Sequence, residues 1–146
     1  MAEVAEAAEC WPSARIDPAG AAAANDDDRV AWAVAHASVQ AAEDLGVAAI
    51  VCPTQSGTTA RRVAAFRPTV PIVGSSDQPE ALGRLSLVWG VRPLSVDVTT
   101  GPAQLDDALR ATREAGIVDA GELVAVVSAS QGKRAGSTDT VRIVRA

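Results

Sequence analysis

The chain has 146 residues, 48% of them hydrophobic, and a net charge of −5 from 13 basic and 18 acidic side chains. One domain of ~100–200 residues accounts for that length, with room for a short appendage. The acidic balance argues against general nucleic-acid binding, which uses Lys and Arg to displace counterions. No apolar run approaches the ~20 residues that span a bilayer. Alanine inflates the apolar share and only 3% of residues are aromatic, so Val, Leu, Ile and Ala must build the core. The N-terminus MAEVAEAAEC alternates acid with alanine, unlike a signal peptide. Cys10 and Cys52 are too few for a disulfide framework, and the single His36 gives no zinc spacing. These features describe a cytoplasmic domain with no metal or cofactor of its own.

Residues 1–10 read as one amphipathic helix. Residues 11–25, with Pro12, Pro18, Gly20 and a run of alanines, read as a linker, which places the domain boundary near Asn25. Asn25-Asp26-Asp27-Asp28 then offers N-cap side chains and negative charge where the helix dipole favours both. Val30, Val34, Ala37, Ala41 and Leu45 follow at helical spacing, and Gly46 is a natural stop. The other face carries Trp32, His36, Gln40 and Glu43. An indole there has two readings. It is half covered by a neighbouring loop, or it anchors a subunit contact made by Trp32, His36 and Gln40.

Ala48-Ala49-Ile50-Val51-Cys52 is a short continuous apolar run closed by Pro53, the pattern of a strand buried on both faces of a parallel sheet. The spacing predicts a turn over 54–58, a helix over 59–66 and a strand over 70–74. Asp77 is placed to cap a helix over 79–86. A strand over 92–96, a helix over 105–115, and strands over 122–129 and 140–145 complete the chain. Strands alternating with helices in this way predict a three-layer α/β/α fold. The last two strands, with no helix between them, can be joined closely only if antiparallel.

In such sheets, ligands bind beyond the carboxyl ends of the strands. Two polar segments fall there. Thr54-Gln55-Ser56-Gly57-Thr58-Thr59 follows a buried strand and precedes a helix. Its hydroxyls, its glycine and a fresh helix N-terminus suit a phosphate, although the same residues also make a plain capping turn. The segment lacks the lysine of a nucleotide-hydrolysing P-loop. The second segment runs from Ser128 to Thr138 and holds Lys133, Arg134, Gly136, Ser137 and Thr138. It suits either a second phosphate or a solvated hairpin loop. No Ser, Cys or Asp stands in a nucleophile setting, and Asp106-Asp107 suits a helix start. The residues themselves describe a ligand-binding domain without catalytic groups.

The ordered motifs resemble a known family. Ala48-Ala49-Ile50-Val51, the turn from Thr54 through Thr59 with Ala60-Arg61, Phe66-Arg67-Pro68, and Val70-Pro71-Ile72-Val73 are similar to the C-terminal domain of pyruvate kinase. So are Leu87-Val88-Trp89-Gly90-Val91-Arg92-Pro93, Gly121-Glu122-Leu123-Val124 and Gly136-Ser137-Thr138-Asp139-Thr140, the last with Asp139 where the family has asparagine. Met1 to Glu9 resembles the helix that ends that enzyme's catalytic barrel.

The resemblance implies a five-stranded mixed, mostly parallel sheet between helices. It also implies an allosteric site at the 54–59 turn and the closing loop, where regulated members take a sugar phosphate or AMP. It implies a homotetramer with C-domains meeting across one interface. The barrel, which holds Mg²⁺, K⁺ and phosphoenolpyruvate in the family, has no counterpart here, so no turnover is expected of this chain alone. Three functions fit: a C-terminal piece of pyruvate kinase, a free-standing module binding a phosphorylated metabolite, or a non-catalytic interaction protein.

Overall fold

The computed structural model describes residues 25–97, 103–130 and 137–146. The helix predicted over 1–10 and the linker after it lie outside the described residues. Helix α1 spans Asp26–Leu45. Asn25 caps it as the sequence predicts, its side chain accepting from the Asp28 N–H at 2.9 Å. Gly46 ends it at φ 60, the left-handed conformation that glycine adopts without strain.

Alternation follows, with β1 at Ala49–Pro53, α2 at Thr58–Ala65, β2 at Ile72–Ser76 and α3 at Pro79–Leu85. The chain continues with β3 at Val91–Ser95, α4 at Gln104–Glu114, β4 at Leu123–Ser128 and β5 at Thr140–Arg145. The strands form one five-stranded sheet in the order β3-β2-β1-β4-β5. β1 is parallel to both β2 and β4, β2 is parallel to β3, and only β4 with β5 is antiparallel. Strands β1, β2 and β4, buried along almost their whole length, form the centre of this three-layer α/β fold.

Side chains of β1 alternate between two cores. Ile50 and Cys52 pack with Ala35, Val39 and Ala42 of α1, Ala60 and Val63 of α2, and Leu85 of α3. Ala49 and Val51 pack on the opposite face with Ala108 and Leu109 of α4. Among the described residues, α1, α2 and α3 therefore cover one face and α4 the other. No helix among the described residues is long and apolar enough to cross a membrane.

Three details differ from the sequence expectations. The buried stripe of α1 is Ala31, Ala35, Ser38, Val39 and Ala42, whereas Val30 and Leu45 are about half exposed. Alanines let the helix lie close to the sheet, and Ser38 can be buried because its hydroxyl donates to the Ala35 carbonyl at 2.7 Å. Strand β2 lies two residues later than predicted, taking in Ser75 and Ser76. Asp77 does not cap α3; its carboxylate accepts from the Gln78 amide at 3.0 Å, and Gln78 is the N-cap residue. Pro79 opens the helix instead, its fixed φ suiting the first turn.

Candidate functional site

The chain leaves β1 towards β2 and β3 on one side and returns to β4 on the other. The strand order thus reverses between β1 and β4, where α/β sheets place their ligands. The 54–59 turn extends from β1 at this point, and the 129–139 loop extends from its parallel neighbour β4.

The turn is held from within. Thr54 is still tied to the sheet, its N–H donating to the Ser75 carbonyl at 2.9 Å. Its hydroxyl then accepts from the Gly57 N–H at 3.0 Å, which closes the turn on itself. Gly57 sits at φ 82 and is buried, with ideal Cβ placement only 3.2 Å from Leu85 side-chain atoms. Glycine is needed there for both reasons. As N-cap of α2 it offers no side-chain bond to the helix amides. The helix amides and the dipole therefore face the turn unscreened by a capping side chain. The Ser56 and Thr58 hydroxyls are 2.9 Å apart and partly exposed.

Thr59 points inward and meets the closing loop. Its Oγ1 lies 2.8 Å from Thr138 Oγ1, with both side chains buried. The rest of that loop's C-terminal arm is organised by Asp139. Its carboxylate accepts from the Ser130 N–H at 2.6 Å and from the Thr140 hydroxyl at 3.0 Å. Ser130 and Thr140 hydroxyls are 3.2 Å apart, and the Asp139 N–H donates to the Ser128 carbonyl. One carboxylate thus fastens both stems of the loop.

Of the residues singled out from sequence, Thr54, Ser56, Gly57, Thr58, Thr59, Ser137 and Thr138 fall at this end of the sheet, and Gln55 is exposed beside them. Lys133, Arg134 and Gly136 lie outside the described residues. Trp32 is half-buried, edge-on to Phe66 with ring centroids 5.9 Å apart. His36 stacks on the same ring at 5.0 Å, and exposed Gln40 donates to Asp44 at 2.9 Å.

Sequence reasoning gave no structural role to Asp139 or to Arg62 of α2. Arg62 pairs with Asp28 of α1, its side chain only 12% exposed. An acid followed by a hydroxyl in a loop stem was the available signal for Asp139. Cys52 is fully buried in β1, and burial pushes its thiol pKa up, which leaves it unreactive. Among the described residues no three His, Cys, Asp or Glu side chains are grouped.

Comparison with known proteins agrees with this architecture. The family model of the pyruvate kinase alpha/beta domain matches residues 32–144. Pyruvate kinase 2 of Synechocystis sp. is 34% identical over 144 residues, covering 98% of this chain and 24% of that protein. Pyruvate kinase of Geobacillus stearothermophilus is 36% identical over 117 residues, covering 80% of this chain and 19% of its own length. The enzyme of Thermotoga maritima is 32% identical over 121 residues, 82% of this chain and 26% of that one. The chain thus spans about 19–26% of the length of these relatives. A five-stranded sheet with one antiparallel edge, the hydroxyl-rich turn after its first strand, and a family match over most of the chain lead to one conclusion: this chain belongs to the pyruvate kinase alpha/beta domain family.

Proposed function

We propose that this chain is a regulatory domain of the pyruvate kinase type, binding a phosphorylated metabolite, a sugar phosphate or AMP, at the 54–59 turn. The phosphoryl group lies against the uncapped N-terminus of α2, with Ser56 and Thr58 hydroxyls as donors. Lys133 and Arg134 of the closing loop supply charge, and Gly136, Ser137 and Thr138 complete the enclosure. The observation that carries this reading is the buried Thr59–Thr138 contact, which joins the start of α2 to the loop from β4. The domain supplies no catalytic residue of its own. It acts on a pyruvate kinase barrel, where phosphoenolpyruvate, ADP, Mg²⁺ and K⁺ would be handled.

Calorimetric titration of glucose 6-phosphate, fructose 1,6-bisphosphate, ribose 5-phosphate and AMP tests this. Charge-assisted hydrogen bonds contribute ~1.5–3 kcal/mol each, and ~1.4 kcal/mol is one decade of affinity. The Ser56→Ala/Thr58→Ala variant is expected to bind at least about tenfold more weakly. Absence of binding below millimolar, or an unchanged affinity in the variant, contradicts the proposal.

A second feature supports self-association as part of the same function. Val30 and Leu45 share one face of α1, and Ile143 of the adjacent edge strand β5 is also exposed. On β5, Ile143 pairs with Ala125, a member of the core beneath α1. An apolar helix face beside a sheet edge suits a second copy of the chain better than water.

A further inference from the structure

We propose that the groove at the amino ends of β2 and β3 is a docking site for the acidic segment 3–11 of this same chain. The groove lies at the opposite end of the sheet from the 54–59 turn. There the α2–β2 and α3–β3 connections run side by side, and the Ile72 N–H donates to the Gly90 carbonyl at 3.1 Å. The groove measures about 400 Å³, and Pro68, Val70, Pro71, Trp89, Val91 and Arg92 are among the residues lining it. Among the described residues no acidic side chain lines it.

This end of the sheet combines cations with apolar surface. Arg67 holds a left-handed backbone at φ 48, which a residue other than glycine adopts at a cost. From that position its guanidinium lies 5.2 Å from the centre of the Trp89 ring, over its face. Arg67 and Arg92 are both exposed, and neither forms an ion pair among the described residues. In the α3–β3 connection Leu87 is 88% exposed and Trp89 47%. Apolar surface rimmed by charge in this way marks an interaction site.

The occupant follows from charge and reach. Glu3, Glu6 and Glu9 come before the first basic residue, Arg15, and Val4 and Trp11 lie in the same segment. Carboxylates pair strongly with guanidinium groups, and the apolar residues of the segment match Leu87 and Trp89. Helix α1 leads into β1, so its carboxyl end lies at the same end of the sheet as the groove. Asn25 is then a helix length away, about 30 Å for the 20 residues of α1. Residues 12–24 span up to ~43 Å when extended, enough to bring 3–11 back to the groove. Tethering raises the local concentration of the segment, so a contact that is weak between separate molecules is occupied within one.

The test attaches a nitroxide spin label to Cys10 in the Cys52→Ala chain and records the nuclear magnetic resonance signals of the domain. The Trp89 indole and the Gly90 and Val91 amides are expected to lose most of their intensity, while the Gly57 and Thr58 amides keep theirs. Glu3→Lys/Glu6→Lys/Glu9→Lys, which alters no residue of the folded domain, is expected to restore the lost signals, as is Arg67→Glu/Arg92→Glu. Combining the two charge reversals is expected to bring the broadening back. Trp89 signals that stay sharp with the unaltered segment, or charge reversals without effect, overturn the proposal. Broadening seen only between chains, in a mixture of spin-labelled and isotope-labelled molecules, assigns the segment to a second copy and overturns docking within one chain.

Discussion

Thr59 and Thr138 are separated by 79 positions, yet their hydroxyls lie 2.8 Å apart in the interior, one at the start of a helix and one at the end of a loop. Parallel pairing of β1 with β4 brings these segments to the same end of the sheet. A buried hydroxyl needs a partner, and here each is the other's. The contact therefore reports whether the closing loop is docked.

Breaking that pair has an asymmetric cost. Thr59→Val or Thr138→Val leaves one buried hydroxyl unsatisfied, a penalty of ~1–3 kcal/mol. The double variant removes both polar groups and is expected to cost less than the sum of the singles. Urea unfolding of the full cycle measures this, and additive effects would mean that the two hydroxyls do not interact.

Gly57→Ala tests the turn geometry directly. A side chain at φ 82 costs ~1–2 kcal/mol, and the new Cβ would sit 3.2 Å from Leu85. The expected result is a loss of stability of that size together with weaker ligand binding, because the amides of the turn are re-aimed. Unchanged stability would show that the turn does not need a left-handed residue.

The order of elements was legible because strand and helix segments differ in period and are punctuated by Pro and Gly. Thr140–Arg145 matched its expected bounds, since alternation on an edge strand is a clear signal. The buried face of α1 was not legible. Both arcs of that helix are rich in alanine, so residue type carries little contrast between Val34 and Ala35. Ser75 and Ser76 resembled turn residues because hydroxyls at a strand end give no periodic signal. The hydroxyl turn was visible as a candidate site, but the partners that shape it, Thr138 from the far end of the chain and Asp139 in the loop stem, depend on tertiary pairing.

Cys52 provides a probe of the core. Burial raises its pKa, so the folded chain keeps the thiol protonated while the unfolded chain ionises near ~8.5. Above that pH the unfolded state binds fewer protons, and stability falls as pH rises; below it the group contributes no slope. In a Cys10→Ser background, Ellman's reagent at about pH 8 is expected to react slowly until denaturant is added. Cys52→Ala is expected to flatten the alkaline stability slope. Rapid native labelling would contradict the burial of this thiol.

Self-association is expected to follow the exposed face of α1. Light scattering over a concentration series should show a dimer, and Val30→Asp/Leu45→Asp should shift it to monomer without unfolding the domain, since both side chains are about half exposed. A chain that is monomeric at high micromolar concentration, or a dimer untouched by the double variant, would contradict this.

The most direct test of the phosphate site is amide nuclear magnetic resonance of the chain during titration with AMP and with glucose 6-phosphate. The Gly57, Thr58 and Thr59 amides, at the open N-terminus of α2, are expected to shift first and furthest with at least one of the two ligands. The Ser56→Ala/Thr58→Ala variant is expected to suppress those shifts. Shifts confined to other parts of the sheet, or none at all with either ligand, would contradict the assignment of this turn as the ligand site.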